Sequence, residues 1–435
     1  MFRPRNLLLT AMACMAPLTA MADTAGAVPF DSIFNGRTLR LDYTFAGNDT
    51  DRSLSLRRQM TMPGWAGRRY HLAELPLAGD AQLTMTDAAT GDTIYRTSFS
   101  TLYHEWLSTD EPKQRARTFD HSVLLPEPRR DARVNLTLTD QRREVMAQTT
   151  FVYSPEDILV EKLDNRKALP HRYLHRSSLP VDKAVDIAIL AEGFTSEEMD
   201  SFYVYAQRAT DEMLSYEPYK SRADRFNFIA VASPSNESGV SVPRLGQWKD
   251  TAFGSHFSTF YSDRYLTAPS VSRIHDALVN IPYEHIIVLA NTEEYGGGGI
   301  YNSYTLTAAR NPLMRPVVVH EFGHSFGGLA DEYFYDGDVM EDSYPTNVEP
   351  WNQNITTLTD FDSKWKRLMP AGVPVPTDPK DAAKYPVGLY EGGGYSAHGV
   401  YRPADECRMR NNSYPTFCVV CADALARLID FYTKD

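Results

Sequence analysis

Val319-His320-Glu321-Phe322-Gly323-His324-Ser325-Phe326-Gly327-Gly328-Leu329-Ala330-Asp331-Glu332-Tyr333 is the stretch on which the reading of this chain turns. It contains HExxH. Two histidines four positions apart in a helix lie on one face, one turn apart, so both imidazoles can reach a single ion. Zinc takes neutral nitrogen donors, and a hydrolytic zinc works beside a carboxylate that handles the proton of its water. Glu321 stands next to the first histidine and is placed for that role. The motif therefore predicts a zinc site, with His320 and His324 as ligands and Glu321 as the base.

The flanks agree with a buried helix that ends abruptly. Pro316 suits a first helical turn, and Val317, Val318 and Val319 are apolar enough to be inside. Gly327 and Gly328 stop the helix, because glycine accepts the left-handed conformation that ends one. The chain can then turn back and offer a third ligand. Asp331 is the nearest, Glu332 the next, and His398 a more distant one. A surface helix with two unrelated histidines explains neither the valine run nor the glycine break.

At 435 residues the chain predicts two domains. Residues 1–22 read as a secretion signal: Arg3 and Arg5, an apolar run from Leu7 to Leu18, and Ala20-Met21-Ala22 as a small-residue cleavage site. The run is too short for a membrane span. Cys14 follows Ala-Met-Ala, a poor match to a lipoprotein site, so plain secretion is favoured over a lipid anchor. The expected location is outside the cytoplasm: secreted, periplasmic or at the cell surface. Cys407, Cys418 and Cys421 remain, and one disulfide among them suits an oxidising compartment. Cys418-x-x-Cys421 also fits redox work or a metal, but no second such pair accompanies it.

Charge divides unevenly. Residues 23–150 carry 16 basic and 17 acidic groups, whereas residues 151–435 carry 26 and 39. An acidic half that also holds the zinc motif argues against nucleic acid as a partner, since phosphate is repelled.

Residues 23–155 read as an all-β sandwich. Thr38–Phe45, Gln82–Thr86 and Arg133–Leu138 alternate polar and apolar residues, separated by turn signals such as Gly47-Asn48-Asp49. His71, His104 and His121 are isolated there, so an accessory role is expected. Residues 156–184 are polar and read as a connector. From Val185 onward strands alternate with helices: a strand over Val185–Phe194, a helix capped by Ser196 and running to about Ser215, a strand over Phe226–Val231, a helix over Ser270–Val279 and a strand over Ile286–Ala290. This is an α/β pattern. Tyr295-Gly296-Gly297-Gly298-Gly299 follows, and bare glycine backbone allows an extended substrate to pair with a strand edge there; a flexible turn is the alternative. Residues 335–365 read as an acidic solvated loop, and residues 370–403 as a loop shaping a cleft. Met409 lies after it and before a final helix, from about Phe417 to Phe431.

The stretch His320–Tyr333 resembles the signature of the IgA peptidase-type zinc metalloendopeptidases, a metzincin-like secreted bacterial family. The strand at Val185–Phe194, the Tyr295–Gly299 loop and Cys407-Arg408-Met409 are similar to that family as well, over roughly residues 156–435. The resemblance implies a metzincin-like zinc peptidase domain behind a β-sandwich, Zn2+ as cofactor, a protein or peptide substrate and Met409 in a Met-turn under the metal. The chain departs from the usual HExxHxxGxxH/D spacing. Ala330 occupies the last position and the acid falls one later, at Asp331, so Asp331 and Glu332 both stand as third ligand. An amidase or deacetylase acting on glycan or cell wall shares such a centre, a binding protein with a vestigial site lacks only turnover, and a gluzincin would draw on a distant acid such as Glu349.

Overall fold

The computed structural model describes residues 29–334 and 344–434. The expected secretion signal, Cys14 and the acids Asp336, Asp338, Glu341 and Asp342 lie outside the described residues.

A four-residue helix, α1 (Phe30–Ile33), leads into β1 (Phe34–Gly47), followed by β2 (Arg52–Met62), β3 (Ala81–Asp87), β4 (Thr93–Phe99), β5 (Arg117–Pro128), β6 (Ala132–Thr139), β7 (Val145–Tyr153) and β8 (Glu161–Lys162). They form two four-stranded sheets, ordered β5-β1-β2-β8 and β4-β3-β6-β7. Leu39, Leu41, Tyr43 and Phe45 face Leu83, Met85, Val134, Leu136 and Leu138 in one core. Inward residues two apart on each strand are the period-2 pattern that reads as a sandwich. A short helix, α2 (Leu102–Leu107), interrupts the β pattern, capped by the Thr101 hydroxyl.

The second part is built on a six-stranded sheet, ordered β13-β14-β12-β10-β11-β9. Its strands are β9 (His171–His175), β10 (Val185–Glu192), β11 (Phe226–Val231), β12 (His285–Ala290), β13 (Gly297–Ile300) and β14 (Tyr304–Ala308). β10, β11, β12 and β14 run parallel, while β9 and β13 close the edges antiparallel. β9 comes from the stretch expected to be mere connector. Every residue of β10 is buried, because Ile187, Ile189 and Ala191 pack to one face and Ala188 and Leu190 to the other. A sheet covered on both sides needs apolar residues at every position, not alternate ones.

The helices are α3 (Met199–Met213), α4 (Val271–Ala277), α5 (Met314–Ser325) and α6 (Val419–Thr433). α3, α5 and α6 share a core on one face of the sheet. α4 packs on the opposite face, where Met60, Met62 and Leu102 of the β-rich part join it. The capping residue before α3 is Thr195, not Ser196. Thr195 and Glu198 form a reciprocal capping box and Ser196 opens a 3-10 turn.

Polar contacts fasten the two parts together. Asp120 of β5 accepts the N–H groups of Val271 and Ser272 at the start of α4, at 3.3 and 2.8 Å, where a helix offers unpaired donors. Buried Arg40 of β1 pairs with Asp42 on its own strand and with Asp276 of α4, both at 2.7 Å.

The glycine run is a strand, not a flexible turn. β13 lies against α5 so closely that a Cβ at Gly299 would sit 2.1 Å from the Glu321 carbonyl oxygen and 2.9 Å from the His324 Cβ. Its outer edge is not open at Gly297, because Tyr265 bridges there in parallel. The glycines thus give room for the motif helix, and the expected docking edge is closed at that residue. Gly299→Ala should cost about 1–3 kcal/mol or more in urea unfolding, the range for forced overpacking. A variant as stable as the parent would show that this contact can relax freely.

Candidate metal centre

α5 carries the motif because it is apolar on nearly every side. Val317, Val318, Val319 and Phe322 are buried, so the helix is held by the core around it and not by an amphipathic stripe. Pro316 lies in its first turn. At its end Gly328 is left-handed, with φ +57°, and its N–H returns to the His324 carbonyl at 2.9 Å. Gly327 has another duty: a Cβ there would fall 2.5 Å from Leu425 of α6.

Beyond Gly328 the chain has no regular secondary structure and is held by groups from later segments. Asn354 bonds both the N–H and the carbonyl of Ala330, each at 2.8 Å. Asn352 donates to the Gly328 carbonyl at 2.8 Å. The Glu332 N–H meets the Met409 carbonyl at 2.9 Å, and the Gly394 N–H meets the Asp331 carbonyl at 2.8 Å. Every group so held is one that a loop in the interior must satisfy. Asn352 and Asn354 carry no signal in the sequence, where Trp351-Asn352-Gln353-Asn354 looks like an ordinary polar loop.

His320, His324 and Asp331 converge. Each offers one donor atom, and these atoms lie within 4.8 Å of one another. The two Nε2 atoms are 3.0 Å apart, and Asp331 Oδ1 is 3.0 Å from one and 3.3 Å from the other. The far nitrogens fix the protons. His320 Nδ1 lies 3.0 Å from the Arg408 carbonyl and His324 Nδ1 2.6 Å from the Leu329 carbonyl. A carbonyl oxygen only accepts, so both Nδ1 atoms carry hydrogen and, in the neutral rings, both Nε2 atoms can present lone pairs to a metal. Gathered at about 3 Å, the two rings and the carboxylate could share one metal ion. Donors held 2.0–2.1 Å from a tetrahedral ion sit about 3.3 Å apart, so the spacing suits zinc.

Glu332 is turned away from this point and its carboxylate meets Asn354 and Cys421. His398 is exposed and faces Glu391 at 3.6 Å. Glu349 receives Thr357, the Asp360 N–H and Lys364. Of the alternative ligands read from the sequence, Asp331 alone is brought to the histidines.

Glu321 is partly buried beside them. Burial pushes its carboxyl above the usual range, against the opposing pull of His320 and His324. Its Oε1 lies 3.0 Å from where a Cβ on Gly297 would stand. Met409 is fully buried, with its sulfur 2.7 Å from the place of a Cβ on Gly323. A side chain at position 323 would displace it.

Residues 370–403 hold more order than a cleft loop. β15 (Tyr390–Gly393) and β16 (Ser396–Arg402) form a hairpin whose turn residues, Gly394 and Tyr395, have φ of +57° and +63°. Paired positive φ angles match the right-handed twist of a two-residue hairpin, but a tyrosine there is strained, so no sequence signal marks it. From that turn the Tyr395 hydroxyl donates to Asp331 Oδ2, and the Tyr333 hydroxyl lies 3.4 Å from that of Tyr395. Tyr295 of the glycine segment stands apart from this group, with its hydroxyl 3.3 Å from Asn412.

The β-rich part also reaches the site. Glu105 of α2 receives the hydroxyl of Tyr265, and burial lifts its carboxyl to about 7, with His324 and Glu321 among the charges acting on it. The accessory reading of this part had no place for Glu105. Cys407, Cys418 and Cys421 are free buried thiols, not a disulfide. No described helix is long and apolar enough to cross a membrane.

Without metal, burial lowers the His324 imidazole but Asp331 more than offsets it, raising it to about 9. Metal uptake should therefore release a proton, and affinity should climb as pH rises towards 9. Calorimetry in buffers of different ionisation heat reads that proton; binding independent of pH would contradict the arrangement. Tyr395→Phe should weaken metal binding about 10–100-fold, as losses of an orienting partner do, in a competition titration with a chromogenic chelator.

Comparison with protein families gives two matches. The family described as IgA Peptidase M64 matches residues 174–385 and 379–429, and that described as Peptidase M64 N-terminus matches residues 29–150. Among curated proteins none matches the chain.

Proposed function

Because this chain belongs to the IgA Peptidase M64 family and is a peptidase, we propose that it is a secreted zinc metalloendopeptidase of metzincin-like architecture. The observation that carries the zinc assignment is the meeting of two imidazole lone pairs and a carboxylate, with an acid on the same helix turn. Zinc would be held by His320, His324 and Asp331, and when bound it acidifies water and polarises a peptide carbonyl. Asp331 supplies the third donor although it falls one residue later than the usual spacing, because the left-handed Gly328 and the asparagine-held backbone deliver it. Met409 under the helix supports the metzincin-like reading.

Glu321 accepts a proton from the attacking water at its carboxylate and then passes it to the leaving amine. Its partly buried setting lifts it towards the range where it can do both. Tyr395 orients Asp331: its one hydroxyl proton is committed there, so it is not the donor to a developing oxyanion in this arrangement. The substrate is protein or peptide. The region 1–22 supports export, and secretion is part of the proposal on that ground.

Glu321→Gln should keep its metal, measured by elemental analysis, and lose turnover by about 10²–10⁴-fold, the scale of a missing general base. A diverse peptide library, incubated with and without chelator, checks the reaction itself. Cleavage by the variant at the parental rate would remove Glu321 from the mechanism, and cleavage untouched by chelator would remove the metal.

A further inference from the structure

Below the first centre lies a second cluster that peptide hydrolysis does not use. Glu332, Cys407, Cys418 and Cys421 are all buried, and each offers a donor atom within 4.8 Å of the others. They come from three segments: the irregular stretch after α5, the turn before Met409, and the start of α6.

The thiols are surrounded by donors. The Met409 and Cys418 N–H groups point to Cys407 Sγ at 3.5 and 3.2 Å, and the Cys421 N–H points to Cys418 Sγ at 3.5 Å. Amide hydrogens on sulfur favour the thiolate, which is the form that binds metal. The Cys421 thiol meets Glu332 Oε1 at 3.0 Å, an atom that also accepts from Asn354 at 2.9 Å. The other oxygen, Oε2, is fully buried and has no hydrogen-bond partner. A buried carboxylate oxygen without a partner is costly to leave unsatisfied; in a residue whose donor lies within 4.8 Å of three sulfurs, it has a use as a ligand.

We propose that Glu332, Cys407, Cys418 and Cys421 form a second, structural zinc site. Four protein donors with no open position are the pattern of a structural centre, as distinct from a catalytic one that keeps a place for water. Binding displaces the thiol protons. One disulfide would use two sulfurs and leave the third, with the carboxylate, unexplained. The excess negative charge of three thiolates and a carboxylate is offset in part by the buried Arg402, which acts on Glu332.

Position gives the site its purpose. Glu332 directly follows Asp331. Cys407 precedes Arg408, whose carbonyl fixes the His320 tautomer, and Met409, which lies under the helix. A metal here ties the third-ligand segment, the Met409 turn and α6 into one unit.

The test is zinc content and sulfur coordination of the full-length protein. Purified wild type is expected to hold two zinc ions per chain, and His320→Ala/His324→Ala to retain one. That variant, reloaded with Co2+, should show the near-ultraviolet absorption of thiolate bound to cobalt. X-ray absorption of wild type should show a zinc–sulfur shell at about 2.3 Å, a readout that needs no variant to fold. Cys418→Ser/Cys421→Ser should lose the sulfur shell. Absence of that shell from zinc-loaded wild type, or an intact mass two hydrogens below the fully reduced chain, overturns the proposal. One zinc per chain with sulfur ligands would uphold this site and count against the first, so the two assignments fail separately.

Discussion

Two imidazoles and a carboxylate, all presenting lone pairs to one point, are the constraint around which this molecule is assembled. With both rings neutral, such a trio repels itself. Keeping it together takes a cation at the centre and a scaffold stiff enough to hold the trio before that cation arrives. The scaffold is visible in detail. Two backbone carbonyls fix which ring nitrogen bears hydrogen, a strained tyrosine steadies the carboxylate, and two asparagines bond the segment that delivers it. Much of the chain beyond the motif reads as support for this arrangement.

That view explains features with no catalytic chemistry of their own. β13 is nearly bare of side chains because α5 must approach it within the thickness of a backbone. Gly323 lacks a side chain because Met409 fills that space. The central strand is apolar throughout because helices cover one face and the docked sandwich with α4 the other. In each case the residue type is set by how near its neighbour must come.

Much of this was legible in the sequence, and the illegible part has a common cause. HExxH, the glycine break and the apolar strands are local patterns, and local patterns survive without coordinates. His320, His324 and Glu321 belong to that class. Asp331 was readable as a leading ligand but not separable from Glu332, since one residue of register decides which carboxylate faces the histidines. That register is set by Asn352, Asn354 and Met409, which lie roughly 20 to 80 residues away. Glu105, Tyr395 and the pairing of Glu332 with three cysteines are long-range in the same sense. Ser196 was mistaken for a cap because Thr195 and Ser196 are adjacent and chemically alike; the reciprocal bond from Glu198 favours the first.

The manner in which the sandwich sits on the six-stranded sheet has a consequence for how the chain can be divided. Asp120 occupies the exposed donors of α4, Arg40 pairs across the junction with Asp276 as well as with Asp42 on its own strand, and Met60, Met62 and Leu102 complete a core on the far side of the sheet. A fragment trimmed to residues 174–429 would bare that greasy face and strip a carboxylate, Glu105, from the neighbourhood of the reacting groups. The two pieces named by separate family descriptions are, in physical terms, halves of a single machine.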